Sequence, residues 1–301
     1  MTESNLDFIS VIIPVYNDSK RLQICLEALE NQTYPQDLYE IIVVDNNSEE
    51  NIQATVACFS QVKLTSEKKR GSYAARNKGI NLAAGKILAF TDSDCIPATN
   101  WLEMGIKRLK SASNCGLVGG KIEIFFKDPQ NPTAAEIYDA ATNLQQKKYI
   151  EEHKYGATAN LFTWKKVLED VGYFDSNLKS GGDGEWGLRV HDRGYLLVYG
   201  EDVCIAHPAR YSLAELSKKV IRQTGGTYDK EKTQKRHKPK ELFKSLLQLR
   251  PPVRSALRKA SSNQILKNNR QKLQLFLAIV YLHYVKNLEK VRLSLGGKSQ
   301  N

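Results

Sequence analysis

The sequence predicts an α/β protein with a mostly parallel central sheet flanked by helices. Three observations carry that prediction. Short apolar runs alternate with amphipathic stretches through the first hundred residues, the connections between them are short, and polar residues gather where the runs end. In sheets of this kind ligands bind beyond the carboxyl ends of the strands.

Taken in order, Ser10–Val15 (SVIIPV) reads as a buried strand. An amphipathic helix follows over about Ser19–Asn31, with Leu22, Leu26 and Leu29 on one face. Tyr39–Val44 is a second strand ending in Asp45, residues 50–60 read as helical, and Val62–Thr65 is a short third strand. Ser72–Ala84 predicts a helix stopped by Gly85, a common residue beyond a helix C-terminus. Lys86–Thr91 is the fourth strand. Pro14–Tyr16, Asp45 and the pair Asp92/Asp94 thus converge on one rim of the sheet.

The next stretch is more mixed. A helix is expected over Trp101–Lys110, extended chain over Gly116–Phe126, and one helix over Thr133–Tyr149. Around Ser180–Arg193 a glycine-rich turn opens another helix. Leu196–Tyr199 reads as a short strand and Ala206–Arg210 as a loop. No internal repeat is seen.

Composition narrows the class. Hydrophobic residues make up 41% and charged residues 26% of 301, enough for a large globular domain with an appendage. Five scattered cysteines (25, 58, 95, 115 and 204) with no CxxC pair argue against a disulfide framework or a thiolate zinc site. They favour a reducing compartment. The N-terminus shows neither a basic n-region nor a long apolar h-region, so no signal peptide is expected. The net charge of +11 is uneven: residues 230–301 carry 18 Lys and Arg against 3 Asp and Glu, whereas residues 1–229 are slightly acidic. The expected organisation is therefore a domain over 1–229 and a basic helical extension over 230–301.

The most informative stretch is ILAFTDSDCIP, residues 87–97, where two carboxylates one residue apart end a strand. Like charges so placed raise each other's pKa unless a cation lies nearby. Asp92, Ser93 and Asp94 offer the hard oxygen donors that Mg²⁺ or Mn²⁺ takes, with a diphosphate completing the shell. Asp and Ser are also ordinary turn residues, so this motif alone decides nothing.

Four more segments occur in order around it: SVIIPVYN (10–17), VVDNNS (43–48), RGSYAARNKGI (70–80) and GGDGEWGLR (181–189). Together they resemble the family 2 glycosyltransferases over roughly residues 8–225. The resemblance implies a GT-A fold, with a Rossmann-like nucleotide-binding half and an acceptor half. It implies that Pro14, Tyr16 and Asp45 line the nucleotide-base pocket and that Arg76 holds the nucleotide part of the donor. Asp92, Ser93 and Asp94 would match the element that holds ribose and the metal-bound diphosphate. Asp183 would match the catalytic base.

One position departs from the family pattern. Many members carry Glu directly before the base, where this chain has Gly182, so Glu185 stands as a second candidate carboxylate. Ser180 and Asp183 also have the spacing of a helix capping box. His207, beside Pro208 and Arg210, could complete a metal shell with Asp92 and Asp94, as a downstream His does in some GT-A enzymes. Trp101 and Trp186 could stack on a sugar, although both fall on expected helices, where core packing is the ordinary role.

The resemblance implies an inverting, metal-assisted hexosyltransferase of nucleotide-sugar donors, UDP-sugars being the commonest, with a carbohydrate or lipid-linked acceptor. A cytoplasmic location is expected, and no nucleic-acid partner. A sugar-1-phosphate nucleotidyltransferase would carry a glycine-rich basic loop where PVYNDSKR stands, and a non-catalytic binder would be expected to lose these carboxylates. Processive synthases usually carry Q-x-x-R-W where this chain has KVIRQTGG (219–226), so a single-addition enzyme is expected. The apolar stretch within 271–288 is interrupted by His283 and Lys286 and is short for a membrane span. Two readings of the tail stand: a peripheral anchor on an anionic membrane, or a helix packed on the protein.

Overall fold

A computed structural model describes residues 7–233, 249–263, 266 and 268–299. The first six residues and the part of the basic tail at 234–248 lie outside the described residues. The described chain forms two compact units.

The first unit, residues 1–123, 145–177 and 182–207, holds the sheet. Strands β1 (Ile9–Val15), β2 (Tyr39–Asp45), β3 (Val62–Ser66) and β4 (Ile87–Thr91) pair in parallel in the order β3-β2-β1-β4. Every residue of β1 and β4 is buried, as a sheet covered on both faces requires. Helices α1 (Ser19–Glu30), α2 (Ile52–Val56) and α3 (Ser72–Leu82) connect them. Beyond β4 the pairing turns antiparallel. β7 (Asn160–Trp164) pairs with β4 and with β6 (Cys115–Phe125), and β8 (Leu196–Pro208) pairs with the two-residue β5 (Ile96–Pro97). Helices α4 (Trp101–Leu109), α6 (Gln146–His153), α7 (Lys165–Val171) and α8 (Gly182–Asp192) complete the unit. Trp101 and Trp186 are fully buried, so both are core residues.

The antiparallel half is pinned by one buried amide. Asn160 accepts from the Trp101 indole at 2.9 Å and donates to the carbonyls of Lys121 and Val203, each at 2.8 Å. It therefore ties α4, β6 and β8 to β7. Each such group would cost about 1–3 kcal/mol if left unpaired in the core.

Three sequence expectations change. Helix α3 ends at Leu82 with Ala83 extended, so Gly85 is not a left-handed helix stop. A Cβ there would lie 2.6 Å from the Ser10 amide nitrogen and 2.8 Å from the Ile9 carbonyl carbon, so Gly85 lets the chain enter β4 against β1. The helix expected over 133–149 is two helices. α5 (Ala134–Thr142) starts with a Thr133/Glu136 capping box and ends where Leu144 takes φ +52°. The break turns Gln146 to bond the carbonyls of Ala157 and Asn160. Finally, 206–208 is strand rather than loop, because Ala206 pairs with Ile96.

The second unit spans residues 124–144, 178–181 and 208–301, and its described part is mainly helical. It contains α5, α9 (Leu213–Thr233), α10 (Val253–Ser262) and α11 (Asn269–Ser294). The tail helix packs. Leu282 meets Ala135 and Leu216, and Leu275 meets Ile137 and Ala260. Among the described residues no helix is long and apolar enough to cross a membrane.

The Gly85 contact is testable by denaturant unfolding. Gly85→Ala meets backbone atoms that cannot swing aside, so a loss of about 1–3 kcal/mol is expected. Gly184→Ala, in a helix and 3.8 Å from its nearest neighbour, is expected to stabilise or to be neutral. Equal effects at the two sites would refute the role given to Gly85.

Candidate active site

The rim at the carboxyl ends of β1, β2 and β4 is built by loops that fasten one another. Asp45 ends β2 opposite Val15, and its Oδ1 accepts from the Ser48 amide at 2.9 Å. Asn17, at φ +49°, donates its amide to Ser48 Oγ and accepts from the Glu49 amide at 2.7 Å. Asn46 is buried and holds the next loop, donating to the carbonyls of Glu67 and Lys69 and accepting from the Gly71 amide. Pro14 is buried at the end of β1, while Tyr16 stands half exposed beside it. Asparagine tolerates the left-handed backbone these turns need.

Helix α3 explains the segment RGSYAARNKGI residue by residue. Gly79 sits where a Cβ would lie 2.5 Å from Ile12, so the helix rides close on β1. Asn77 exchanges hydrogen bonds with both backbone groups of Phe174. Arg76, almost wholly buried, forms an ion pair with Asp92. Among the described residues its buried Nε has no hydrogen-bond partner.

The repulsion at Asp92 and Asp94 is thus relieved by separate cations. Asp92 belongs to Arg76. Asp94 lies 3.6 Å from the Arg21 guanidinium and 3.6 Å from His207 Nε2. Ser93 does not face a ligand alone; its hydroxyl donates to Asp18 at 3.0 Å, and Asp18 in turn holds Arg21 at 2.6 Å. Beneath them lie two buried thiols. Burial first, and then the nearby carboxylates, push Cys25 and Cys95 far up, so both stay neutral.

Oxygen and nitrogen atoms for a divalent cation converge here. Ligand atoms of Asp94, Cys95 and His207 lie within 4.8 Å of one another. The carboxylate and imidazole suit Mn²⁺ or Mg²⁺, whereas the neutral Cys95 thiol is a poor ligand for a hard ion. His207 therefore meets Asp94, on a strand rather than on the expected loop. Asp92 is turned to Arg76.

Asp183 opens α8, with part of its surface reaching solvent. Its oxygens accept from the Thr158 amide at 3.3 Å and hydroxyl at 3.2 Å. Burial raises its carboxyl above the ordinary 3.8. Arg76 and the Thr158 bonds oppose the rise, and Asp92 adds to it. Asp183 thus shares an electrostatic neighbourhood with the Arg76–Asp92 pair. The Gly182 departure has a steric cause: a Cβ at 182 would lie 2.6 Å from the Tyr73 ring, whose hydroxyl accepts from the Gly182 amide at 2.9 Å. Glu185 is engaged elsewhere. Both its oxygens are held by Arg189, at 2.8 and 3.0 Å. Arg189 also donates to the carbonyls of Val171, Gly172 and Tyr173, clamping the chain that carries Phe174.

Sequence reasoning missed Asp18, Arg21, Tyr73 and Thr158. Asp18 and Arg21 lie in PVYNDSKR, directly after the first strand, and that position was the available signal. Thr158 carries no local signal; only the pairing of Asn160 opposite Thr91 brings its loop to Asp183.

With this geometry in view, comparison places the chain among known proteins. The sequence profile of Glycosyl transferase family 2 matches residues 10–172. Glycosyltransferase AglE of Haloferax volcanii is 46% identical over 224 residues, 73% of this chain and 72% of that protein. A dolichyl N-acetyl-α-D-glucosaminyl phosphate 3-β-D-2,3-diacetamido-2,3-dideoxy-β-D-glucuronosyltransferase of Methanococcus voltae is 27% identical, over 73% of this chain and 71% of that one. Among solved structures, the mannosyltransferase PcManGT from Pyrobaculum calidifontis, in complex with GDP-Man and Mn²⁺, superposes with a TM-score of 0.58 at 19% identity. It covers 97% of this chain and 75% of its own. TarS 1–349 of S. aureus, in complex with UDP, gives 0.53 at 18% identity over 72% and 64% of the two chains. These structures share the GT-A architecture with this one. The chain belongs to glycosyl transferase family 2 and is a glycosyltransferase.

Proposed function

We propose that this glycosyltransferase moves one sugar from a nucleotide-sugar donor to an acceptor hydroxyl by a single displacement that inverts the anomeric carbon. The observation that carries the reading is Asp183: a carboxylate with no ion-pair partner among the described residues, oriented by Thr158 beside the Arg76–Asp92 pair. In this role it takes the proton from the acceptor hydroxyl as that oxygen attacks. Glu185, neutralised by Arg189, serves as a structural clamp. Arg76, Asp92 and Ser93 orient the nucleotide part, with Pro14, Tyr16 and Asp45 around the base.

Asp94 and His207 would hold the divalent cation, Mn²⁺ or Mg²⁺. When bound it supplies charge neutralisation of the leaving diphosphate. UDP-sugars are the first donors to test, and GDP-mannose the second, because the structural neighbours hold UDP and GDP-Man. A lipid-linked acceptor is supported by the Methanococcus relative, whose name specifies a dolichyl phosphate substrate. Catalysis is assigned to residues 1–229. Free cysteines, three of them buried, fit a cytoplasmic setting.

The basic extension of 230–301 is assigned a second task, attachment to an anionic membrane surface. Among the described residues, one face of α11 is exposed, as is the Leu295 that caps it. Leu273, Leu277, Tyr281, Leu288 and Leu295 recur at helical spacing and are exposed, Leu277 by 54% and Leu288 by 57%. Val253 and Leu257 on α10 are exposed beside Arg254 and Arg258. Apolar stripes with flanking Lys and Arg suit lipid headgroups, each cation adding about 1 kcal/mol.

The test of the catalytic reading is nucleoside diphosphate release by Asp183→Asn. Turnover is expected to fall by roughly 10²–10⁴-fold with donor affinity kept. Because the fold raises this carboxyl, the native chain is expected to lose activity as pH falls through the raised value. The same sign makes ionised Asp183 a cost to stability above that value. Asp183→Asn is therefore expected to raise the melting temperature at pH 7 and to give no gain below about pH 3.8, where both states are protonated. Undiminished turnover, or a Glu185→Gln loss larger than that of Asp183→Asn, would move the base elsewhere.

The membrane assignment is checked by vesicle sedimentation. The full chain is expected to pellet with anionic vesicles and to be released by salt, and Leu277→Asp with Leu288→Asp to abolish pelleting. Equal behaviour with neutral and anionic vesicles would contradict it.

A further inference from the structure

One buried, titratable side chain beside the site has no part in the chemistry assigned so far. Tyr73 lies on α3, one turn before Arg76, and is only 8% exposed. Its ring stacks on Phe174 at 6.0 Å. Phe174 packs in turn on Phe90 of β4 at 5.6 Å and on Trp186 of α8 at 5.2 Å. The Arg76 guanidinium stands 5.9 Å from the centre of the Tyr73 ring. Tyr73 is thus fixed in a block of aromatic rings that joins α3, β4 and α8.

The phenol of this block caps helix α8. Its oxygen accepts from the Gly182 amide at 2.9 Å and draws on the Asp183 amide as well. The space that a side chain at 182 would fill holds the Tyr73 ring instead. The residue before the helix is Gly181, at φ +77°, which has no side chain to cap it.

The consequence falls on Asp183, in the first turn of that helix. Open amide N–H groups at a helix start, and the dipole behind them, favour an ionised carboxylate there. Tyr73 takes up such an amide and sets a neutral oxygen before it. The other groups that reach Asp183 are Arg76 on α3, Asp92 after β4, and Thr158 and Tyr155 ahead of β7. Burial first, and then the Asp183 charge, push the Tyr73 phenol well up, so it stays a neutral hydroxyl.

We propose that Tyr73 is the positioning residue for Asp183. Its oxygen engages the helix amide that would otherwise turn onto the carboxylate. Helix α3 carries Tyr73 to α8 and Arg76 to Asp92, so one rigid element sets the spacing between Asp183 and the Arg76–Asp92 pair. The carboxylate is kept both in place and ready for a proton. As a statement about catalysis this rests on the reading of Asp183 as the base.

Carboxyl ¹³C NMR of the full chain reads the Asp183 proton directly, with Asp183→Asn assigning the signal. Tyr73→Phe keeps the ring and its stack on Phe174 and removes only the oxygen. The freed amide then serves the carboxylate, so the affinity of Asp183 for its proton is expected to fall tenfold or more. Its midpoint moves to lower pH. Gly182→Ala, which crowds the ring from the helix side, is expected to move it the same way and is read where Tyr73→Phe does not melt cooperatively. In Tyr73→Phe the affinity for UDP with Mn²⁺ is expected to hold within twofold. Nucleoside diphosphate release is expected to show kcat reduced tenfold or more with the donor KM kept. The proposal is overturned if Asp183 titrates alike in the native and Tyr73→Phe chains, or if that variant loses only melting temperature or donor affinity; Tyr73 is then a structural cap. A moved titration with undiminished turnover upholds the hold of Tyr73 on Asp183 and removes Asp183 as the base, so the two readings fail separately.

Discussion

The site depends on the half-buried contact between Arg76 and Asp92. A guanidinium on α3 meets a carboxylate on the residue that directly follows β4. Gly79 sets the height of α3 over β1, and Asn77 fastens the same helix to the chain at Phe174. Were the arginine absent, Asp92 would stand near Asp94, Asp18 and Asp183 with no strong cation beside it. Removing one partner of such a pair leaves an uncompensated charge; the loss falls below that of fully buried pairs, about 3–5 kcal/mol, because Asp92 reaches solvent. The pair therefore fixes which carboxylate is already neutralised and which remain for chemistry.

That division runs through the whole rim. Asp92 is matched by Arg76, Asp18 by Arg21, and Glu185 by Arg189. Among the described residues, Asp94 has longer contacts to cationic side chains, at 3.6 Å to Arg21 and to His207. Among the described residues, the Asp183 carboxylate is held by hydrogen bonds from Thr158. Among the described residues, the carboxylates assigned to metal and to base thus lack the close cations that Asp92, Asp18 and Glu185 have. Binding a cation at one and accepting a proton at the other are what groups in those states can do.

Much of this was legible in the sequence because it is local. The strand–helix alternation up to Thr91, the positions of Asp92 and Asp94 and the place of Asp183 at a helix start follow from periodicity and turn chemistry. What escaped is non-local. The steric reason for Gly182 lies in Tyr73, more than a hundred residues earlier. His207 sits on a strand because its neighbour Ala206 pairs with Ile96, which no property of AHPAR announces. The break at Leu144 arises because Gln146 is drawn to Ala157 and Asn160, a tertiary demand that overrides helix propensity. The tail showed its charge in the sequence, but that α11 both packs and leaves an apolar stripe exposed needed coordinates.

The central claim is that the two aspartates flanking Ser93 do separate work. Titration of UDP into the protein with and without Mn²⁺ tests it most directly, comparing the native chain with Asp94→Ala and with Asp92→Asn. The account predicts that Asp94→Ala loses the Mn²⁺-dependent gain in affinity while keeping metal-free binding. Asp92→Asn is predicted to keep the Mn²⁺ gain and to lose metal-free binding, because Arg76 is no longer held. A full Mn²⁺ gain in Asp94→Ala, or the same loss in both variants, would contradict it.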